Sequence, residues 1–353
     1  MNRQVPRQIH LVGSVPLASA TAVFECVGSH LGSSVARIPD GETGERARPF
    51  FLRPNLTHAL FGARGVERIG EYVIAGYTIP LQGLAAGAKP DDIDFGPLGF
   101  AHAAKSSFSD FKRLQAAGRI PPGVRMQVCL PTPFMLGIIF VAPNSLRQLW
   151  PAYERAMLRE LDDILSSIPH EELAIQWDMS PEIHEVLEKR NLAVVRNVPR
   201  EMLVAAIARI TDYVPLPVEV GWHLCYGDTG HEEGRETKHV VEPVDMGVMT
   251  RFANDIFAAT RRPINWVHMP VPRGRDDEAY FAPLKNLRVK PEMRLFLGLV
   301  HLFDGIEGGR RRAVAARTVY PDFGVATECG MGRRPPESIP ALLDLHLEIA
   351  HLT

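Results

Sequence analysis

The chain has 353 residues, a formal charge of -2 at neutral pH and a pI near 6.7, and 46% of its residues are hydrophobic. That length fits one large barrel or two ordinary domains, with ample apolar content for a core. The near-zero charge gives no electrostatic footprint for nucleic acid or an anionic membrane. Four cysteines, Cys26, Cys129, Cys225 and Cys329, are too few for a disulfide framework in a chain this long, and metal or structural roles fit better. The opening residues, Met1 to Arg7, lack the apolar region of a signal peptide, and no run approaches the ~18 apolar residues of a membrane span. A cytoplasmic location is the resulting expectation.

Short apolar runs alternate with longer amphipathic ones. Strands are expected at Ile9–Val12, Ser34–Ile38, Val124–Leu130, Leu173–Trp177, Val218–His223, Ile264–His268, Leu295–Val300 and Phe323–Thr327. The clearest helical pattern is Asn144–Ser167, where Leu146, Leu149, Trp150, Tyr153, Met157, Leu158, Leu161 and Ile164 recur at helical spacing, with Asn144 as a candidate N-cap. Further helices are expected at Arg200–Tyr213, Val244–Ala259, Gly305–Ala316 and Pro336–His351. Alternating strands and helices imply parallel strands with crossover helices, and about eight strands favour a closed β/α barrel over an open doubly wound sheet. The expected fold is therefore α/β, a single (β/α)8 TIM-type barrel over residues 1–353. A long elaborated loop, 46–122, with several short helical patterns, follows the second strand and partly covers the barrel mouth.

Polar residues collect where these strands end. Ser14 follows the first strand, Asp40 and Glu42 the second, Thr132 the third and Asp178 the fourth. His223 and Cys225 end the fifth and His268 the sixth; His301 and Asp304 follow the seventh, and Glu328 and Cys329 the eighth. In a β/α barrel these ends converge on one face, where active sites sit. His223 and Cys225 are two apart, so on an extended strand both point to the same side. Thiolate sulfur and imidazole nitrogen are zinc donors, and a catalytic zinc keeps one position open. His223, Cys225, His268 and Cys329 are thus the candidate ligands of one Zn2+ site. Competing readings are plainer: His268 as a buried core histidine, Asp178 as an N-cap, Glu42 paired with Arg46 or Arg48, and His301 as a residue orienting a ligand. Cys26 and Cys129 read as core, and His231, Glu232 and Glu233 as a polar loop.

Several of these segments carry a resemblance. Val12-Gly13-Ser14-Val15-Pro16, Gly41-Glu42, Ile175-Gln176-Trp177-Asp178 with Pro181 beyond, His223-Leu224-Cys225 and Glu328-Cys329-Gly330-Met331-Gly332-Arg333 together resemble the C-terminal barrel of cobalamin-independent methionine synthase. That barrel lies in the superfamily shared with uroporphyrinogen decarboxylase. The resemblance implies a zinc-dependent methyl or alkyl transferase, of the kind used in methionine biosynthesis, in which a metal-held thiolate attacks an alkyl carbon. A coordinating thiol is deprotonated at neutral pH, and the thiolate is the nucleophile. It also implies that Ser14, Glu42 and Asp178, joined by Glu328, hold an amino-acid thiol.

The sequence departs from that pattern in places. His268 stands where the family has a glutamate ligand, and Met179 where it has a glutamate. The proton-donating segment after the seventh strand is replaced by Val300-His301-Leu302-Phe303-Asp304, leaving His301 and Asp304, beside Asp178, as the candidate catalytic acids. The expected partners are a small-molecule thiol and an alkyl donor, without nucleic acid or membrane. Barrels of this size often dimerise, so a homodimer is also expected. The alternatives are a decarboxylase-type lyase and a zinc-holding barrel without catalysis.

Overall fold

The computed structural model describes residues 8–48, 52–74, 77–187, 198–227 and 239–353. In chain order its strands are β1 (Arg37–Pro39), β2 (Val66–Ile74), β3 (Tyr77–Leu84), β4 (Arg125–Pro131), β5 (Leu173–Met179), β6 (Glu219–Leu224), β7 (Trp266–Pro270), β8 (Arg294–Val300) and β9 (Gly324–Thr327). Seven of them form a parallel sheet in the order β1-β4-β5-β6-β7-β8-β9, and β2 and β3 form a separate antiparallel pair. Seven of the expected strands are present to within a few residues. The eighth, Ile9–Val12, makes single parallel bridges rather than a ladder: Ile9 pairs with Val35, just before β1, and with Val325 of β9. This segment therefore lies between the two outermost strands of the sheet. The architecture is α/β, a curled parallel sheet with helices, consistent with a TIM-type barrel.

The helices are α1 (Ala20–Leu31), α2 (Pro54–Phe61), α3 (Phe100–Ala116), α4 (Pro133–Phe140), α5 (Leu146–Ser167), α6 (Pro181–Val186), α7 (Arg200–Tyr213), α8 (Gly247–Ala259), α9 (Glu278–Phe281), α10 (Gly305–Val319) and α11 (Ile339–Ala350). The long apolar stripe of α5 buries Leu149, Tyr153, Met157, Leu161 and Ile164, as its spacing demands. The residue at its start is Ser145, not Asn144, and no side chain caps it.

The segment 46–122 carries the expected helical elaboration and, beyond it, a strand pair. It contains α2, the β2–β3 hairpin and the whole of α3. The hairpin packs towards α4 and α5: the Tyr72 hydroxyl donates to the Ile139 carbonyl at 2.9 Å, and the Tyr153 hydroxyl donates to Gln82. The start of α3 has no side-chain cap of its own. Glu160 of α5 supplies one, accepting from the N–H groups of Leu98 (2.6 Å), Gly99 (3.3 Å) and Ala101 (2.6 Å). A carboxylate there satisfies orphan donors and complements the helix dipole.

The strands of the parallel sheet are buried on both faces, which is why they read as continuous apolar runs. The inward face is nonetheless polar in layers. Near the strand starts the Arg37 guanidinium lies 3.9 Å over the Trp266 ring and donates to Glu219 at 2.7 Å. Trp266 finds room because Gly221 opposes it; a Cβ there would lie 2.0 Å from the indole. Above this layer Gln176 is a hub. It donates to the Val12 carbonyl (2.5 Å) and to Asp178 (2.9 Å), while its Oε1 lies 2.9 Å from His10 Nε2 and accepts from Trp266 Nε1 at 3.4 Å. Nearest the strand ends comes the row that matters most. Asp178 of β5 is in register with His223 of β6, which is in register with His268 of β7.

Candidate metal centre

Register places His223 and Asp178 side by side, and the period of two carries Cys225 to the same side as His223. The Cys225 N–H is fixed by the Met179 carbonyl at 2.9 Å. Cys329 arrives from the turn after β9. Its Sγ lies 3.6 Å from Cys225 Sγ and 3.7 Å from His223 Nε2. The donor atoms of His223, Cys225 and Cys329 all fall within 4.8 Å of one another, and His223 and Cys225 are buried. Two sulfurs and an imidazole nitrogen at such separations fit the donor chemistry of zinc. The electrostatics agree. Contact with the Cys329 thiol, assisted by His223, holds the Cys225 thiol well below the ordinary thiol range despite burial. Burial pushes the His223 imidazole down, but Cys225 and Asp178 outweigh it and the net shift is upward.

His268 is not part of that group. Its Nδ1 faces His223 Nδ1 at 2.7 Å, and its Nε2 lies 3.0 Å from the Thr327 carbonyl. Both ring nitrogens are thus engaged away from the sulfurs, and the expected fourth-ligand role is not what this geometry supports. The row of in-register side chains puts His268 behind His223 rather than beside the thiols.

The expected substrate residues divide. Ser14 lies against the turn that carries Cys329: its Oγ accepts from the Gly332 N–H at 3.2 Å and its carbonyl from the Met331 N–H at 2.7 Å. Asp178 is partly buried, and burial raises its carboxyl to about 7, with His223 opposing and Glu42 adding to the rise. It is not an N-cap, since Ser180 holds that position before α6. Glu42 sits in a left-handed turn at φ +50°, following Gly41 at +80°. That turn is held by Asp40, which accepts from the Glu42 N–H (3.0 Å), from Arg46 (3.2 and 2.7 Å) and from Ser107 (2.8 Å). The Glu42 carboxylate pairs with Arg53 at 3.0 Å, not with Arg46 or Arg48.

The remaining three are committed elsewhere. Glu328 is fully buried and accepts from Arg334 at 2.6 Å. His301 is buried with Nε2 at 2.9 Å from the Val271 carbonyl and Nδ1 at 3.6 Å from Glu328. Asp304 bridges both amino groups of Arg312 at 2.6 and 2.9 Å. Burial opposes ionisation of its carboxyl, but the bonds from Arg312 prevail and hold it below the usual carboxylate range. These are the geometries of anchors.

Sequence reasoning did not single out His10, whose ring is 5.9 Å from that of His268 and 2.9 Å from Gln176. A histidine inside an apolar strand run was the available signal. Cys129, read as core, instead points inward beside Gln127 and the Val12 carbonyl. Burial raises its thiol well above the ordinary range, with Asp178 and Glu42 adding to it, which disfavours the thiolate there. His231, Glu232 and Glu233 lie outside the described residues.

Thr132, at the end of β4, caps α4 and donates to Glu182 of α6. Glu182 is fully buried, and burial raises its carboxyl to about 7. A carboxyl raised in the folded state binds its proton more tightly there than in the unfolded chain, so its contribution to stability is lost as pH rises from about 4 towards 7. We expect the Glu182→Gln protein to lose less stability than wild type between pH 5 and pH 8 in urea unfolding. Equal slopes would show that Glu182 does not titrate across this range.

An α/β fold consistent with a TIM-type barrel, with a His/Cys cluster at the C-terminal strand ends, is therefore what the chain presents. No known family profile matches the sequence, and no curated protein does. Among solved structures the chain is similar to a B12-independent methionine synthase from Shewanella sp. W3-18-1 in complex with selenomethionine. The TM-score is 0.58 at 13% identity, over 98% of this chain and 97% of that one. It is also similar to a methyltransferase from Methanosarcina mazei, with TM-score 0.45 and 13% identity over 95% and 94% of the two chains. The first likeness is one of fold. Among the described residues no helix is long and apolar enough to cross a membrane.

Proposed function

We propose that the chain is a zinc-dependent methyl or alkyl transferase acting on a substrate thiol, built as one (β/α)8 barrel with 46–122 as an elaboration, in the cytoplasm. The observation that carries this reading is the convergence of His223, Cys225 and Cys329 within 4.8 Å at the C-terminal strand ends. Zinc held there would supply the Lewis acidity that keeps a substrate thiol deprotonated at neutral pH. Among the described residues the group offers three donors, one fewer than the four of closed structural sites, which favours catalysis over a purely structural role.

The chain's own residues supply binding and orientation. Glu42 and Asp178 are two carboxyl groups suited to a substrate ammonium, and Ser14 offers a hydroxyl beside the Cys329 turn. Asp178, with a carboxyl near 7, exchanges a proton readily at neutral pH and is the candidate acid–base group. Glu328, His301 and Asp304 are assigned to holding the site rather than to touching substrate. The lyase alternative calls for arginines facing a carboxylated substrate. Arg46 and Arg53, on the loop after β1, instead pair with Asp40 and Glu42.

The test is a transfer assay on zinc-loaded protein with homocysteine and other small thiols against methyl and epoxide donors, reading thioether formation by mass spectrometry. We expect a thioether with at least one thiol, lost in Cys329→Ser. A zinc-loaded protein that alkylates none of them, yet decarboxylates a carboxylated substrate, would contradict the proposal.

A further inference from the structure

The two histidines at the strand ends allow a proton count. The Thr327 carbonyl can only accept, so the His268 nitrogen 3.0 Å from it, Nε2, must carry a hydrogen. The two Nδ1 atoms are 2.7 Å apart, a hydrogen-bond distance, so one proton lies between them. If it belonged to His268, that ring would be a cation with no exposed surface at all, which is costly without a paired charge. If it belongs to His223, His268 is neutral and every contact is satisfied. His223 then carries the shared proton on Nδ1, which leaves its other nitrogen, Nε2, as the one facing Cys329 Sγ at 3.7 Å.

We propose that His268 is a positioning residue that fixes the protonated nitrogen and orientation of His223, through a chain from His223 Nδ1–H to His268 Nδ1 and from His268 Nε2–H to the Thr327 carbonyl, so that His223 offers Nε2 as the imidazole donor beside Cys225 and Cys329. Metal-bound histidines are commonly oriented by an acceptor on their far nitrogen, usually a carboxylate, carbonyl or water. Here a second histidine takes that place, and the Thr327 carbonyl two residues before Cys329 orients it in turn. The end of β9 and the turn after it thereby set the direction of the imidazole donor and carry a thiol donor. This inference rests on the proposed metal site only for its last clause; the hydrogen-bond chain itself is a property of the metal-free protein.

The first experiment is therefore done without metal. In 15N-labelled protein, long-range 1H–15N correlation spectra read the tautomer of each ring. We expect His223 protonated on Nδ1, His268 protonated on Nε2, and a 15N–15N coupling across the hydrogen bond between the two Nδ1 atoms. A His223 ring protonated on Nε2 alone, or no coupling between the rings, overturns the proposal whether or not the protein binds metal. The second experiment uses cadmium-113. A 113Cd–15N coupling to His223 Nε2 and none to His268 is expected, and a coupling to His268 would make it a ligand. The variants separate the roles again. His268→Asn keeps an acceptor near the Nδ1 position and should retain most zinc affinity, whereas His268→Leu should lose about 10–100-fold. Equal loss in both would contradict an orienting role. Failure of the wild type to bind any metal would sink the proposed function but leave the metal-free spectrum to decide this inference.

Discussion

Zinc affinity should fall at least a hundredfold in Cys225→Ser. The thiol is buried, sits 3.6 Å from Cys329 Sγ, and is already held well below the ordinary thiol range by that contact and by His223. Serine preserves the shape but offers a hydroxyl that stays protonated at neutral pH. Structural zinc sites bind with about 10–16 kcal/mol shared over four ligands, or roughly 3 kcal/mol each, and about 1.4 kcal/mol is tenfold. Removing one of three protein ligands should therefore exceed the 10–100-fold loss typical of an outer partner. Cys129→Ser is the matched control, because Cys129 faces the same interior but touches Gln127 and the Val12 carbonyl. Competition with a chromophoric chelator measures both. Unchanged affinity in Cys225→Ser, with loss in Cys129→Ser, would move the site to a different part of the interior.

The second large effect is on stability. Arg312 of α10 is wholly buried, and it donates to the Leu299 and Arg273 carbonyls (3.0 and 2.9 Å) as well as to both oxygens of Asp304. The carboxylate can fold back onto its own helix because residue 308 is glycine; a Cβ there would lie 2.0 Å from the Asp304 carboxyl. Asp304→Ala leaves the guanidinium buried without its counter-charge, and breaking such a pair costs about 3–5 kcal/mol. Because the Asp304 side chain is 18% exposed, the lower end is expected. The pH sign follows from the lowered carboxyl. A group whose folded-state pKa lies below its unfolded value contributes stability that is complete above about pH 4 and is lost as pH falls through the folded value. Urea unfolding at pH 7 and pH 3 should show a large wild-type advantage at the first and a smaller one at the second. If Asp304 were instead a general acid, folded Asp304→Ala would lose turnover about 10²–10⁴-fold with little change in stability.

Much of the site could be read from the sequence, for a physical reason. Strands buried on both faces give continuous apolar runs, and the first polar residues after the runs mark the end of the sheet where these side chains gather. That logic found His223, Cys225, Cys329, Ser14, Glu42 and Asp178 together. The roles of His268, Glu328 and Asp304 were less legible. Residue type and strand position are the same for a ligand and for the partner of a ligand, and only the direction of each ring nitrogen separates them. Glu328 looked like a substrate residue because its partner, Arg334, is six positions on in an irregular turn. The hairpin escaped, and α3 stayed one of several short helical patterns without bounds, because their patterns are weak. Charged and apolar residues mix along Val66–Ile74, and the buried face of α3 includes Ala101, Ala104 and Ser107 beside only three large apolar side chains.

X-ray absorption at the zinc edge, on protein purified without added metal, tests the central claim most directly. About one zinc per chain with two sulfur neighbours and one imidazole nitrogen is the expected result. Protein without zinc, or zinc surrounded by nitrogen and oxygen alone, would contradict a metal centre built from His223, Cys225 and Cys329.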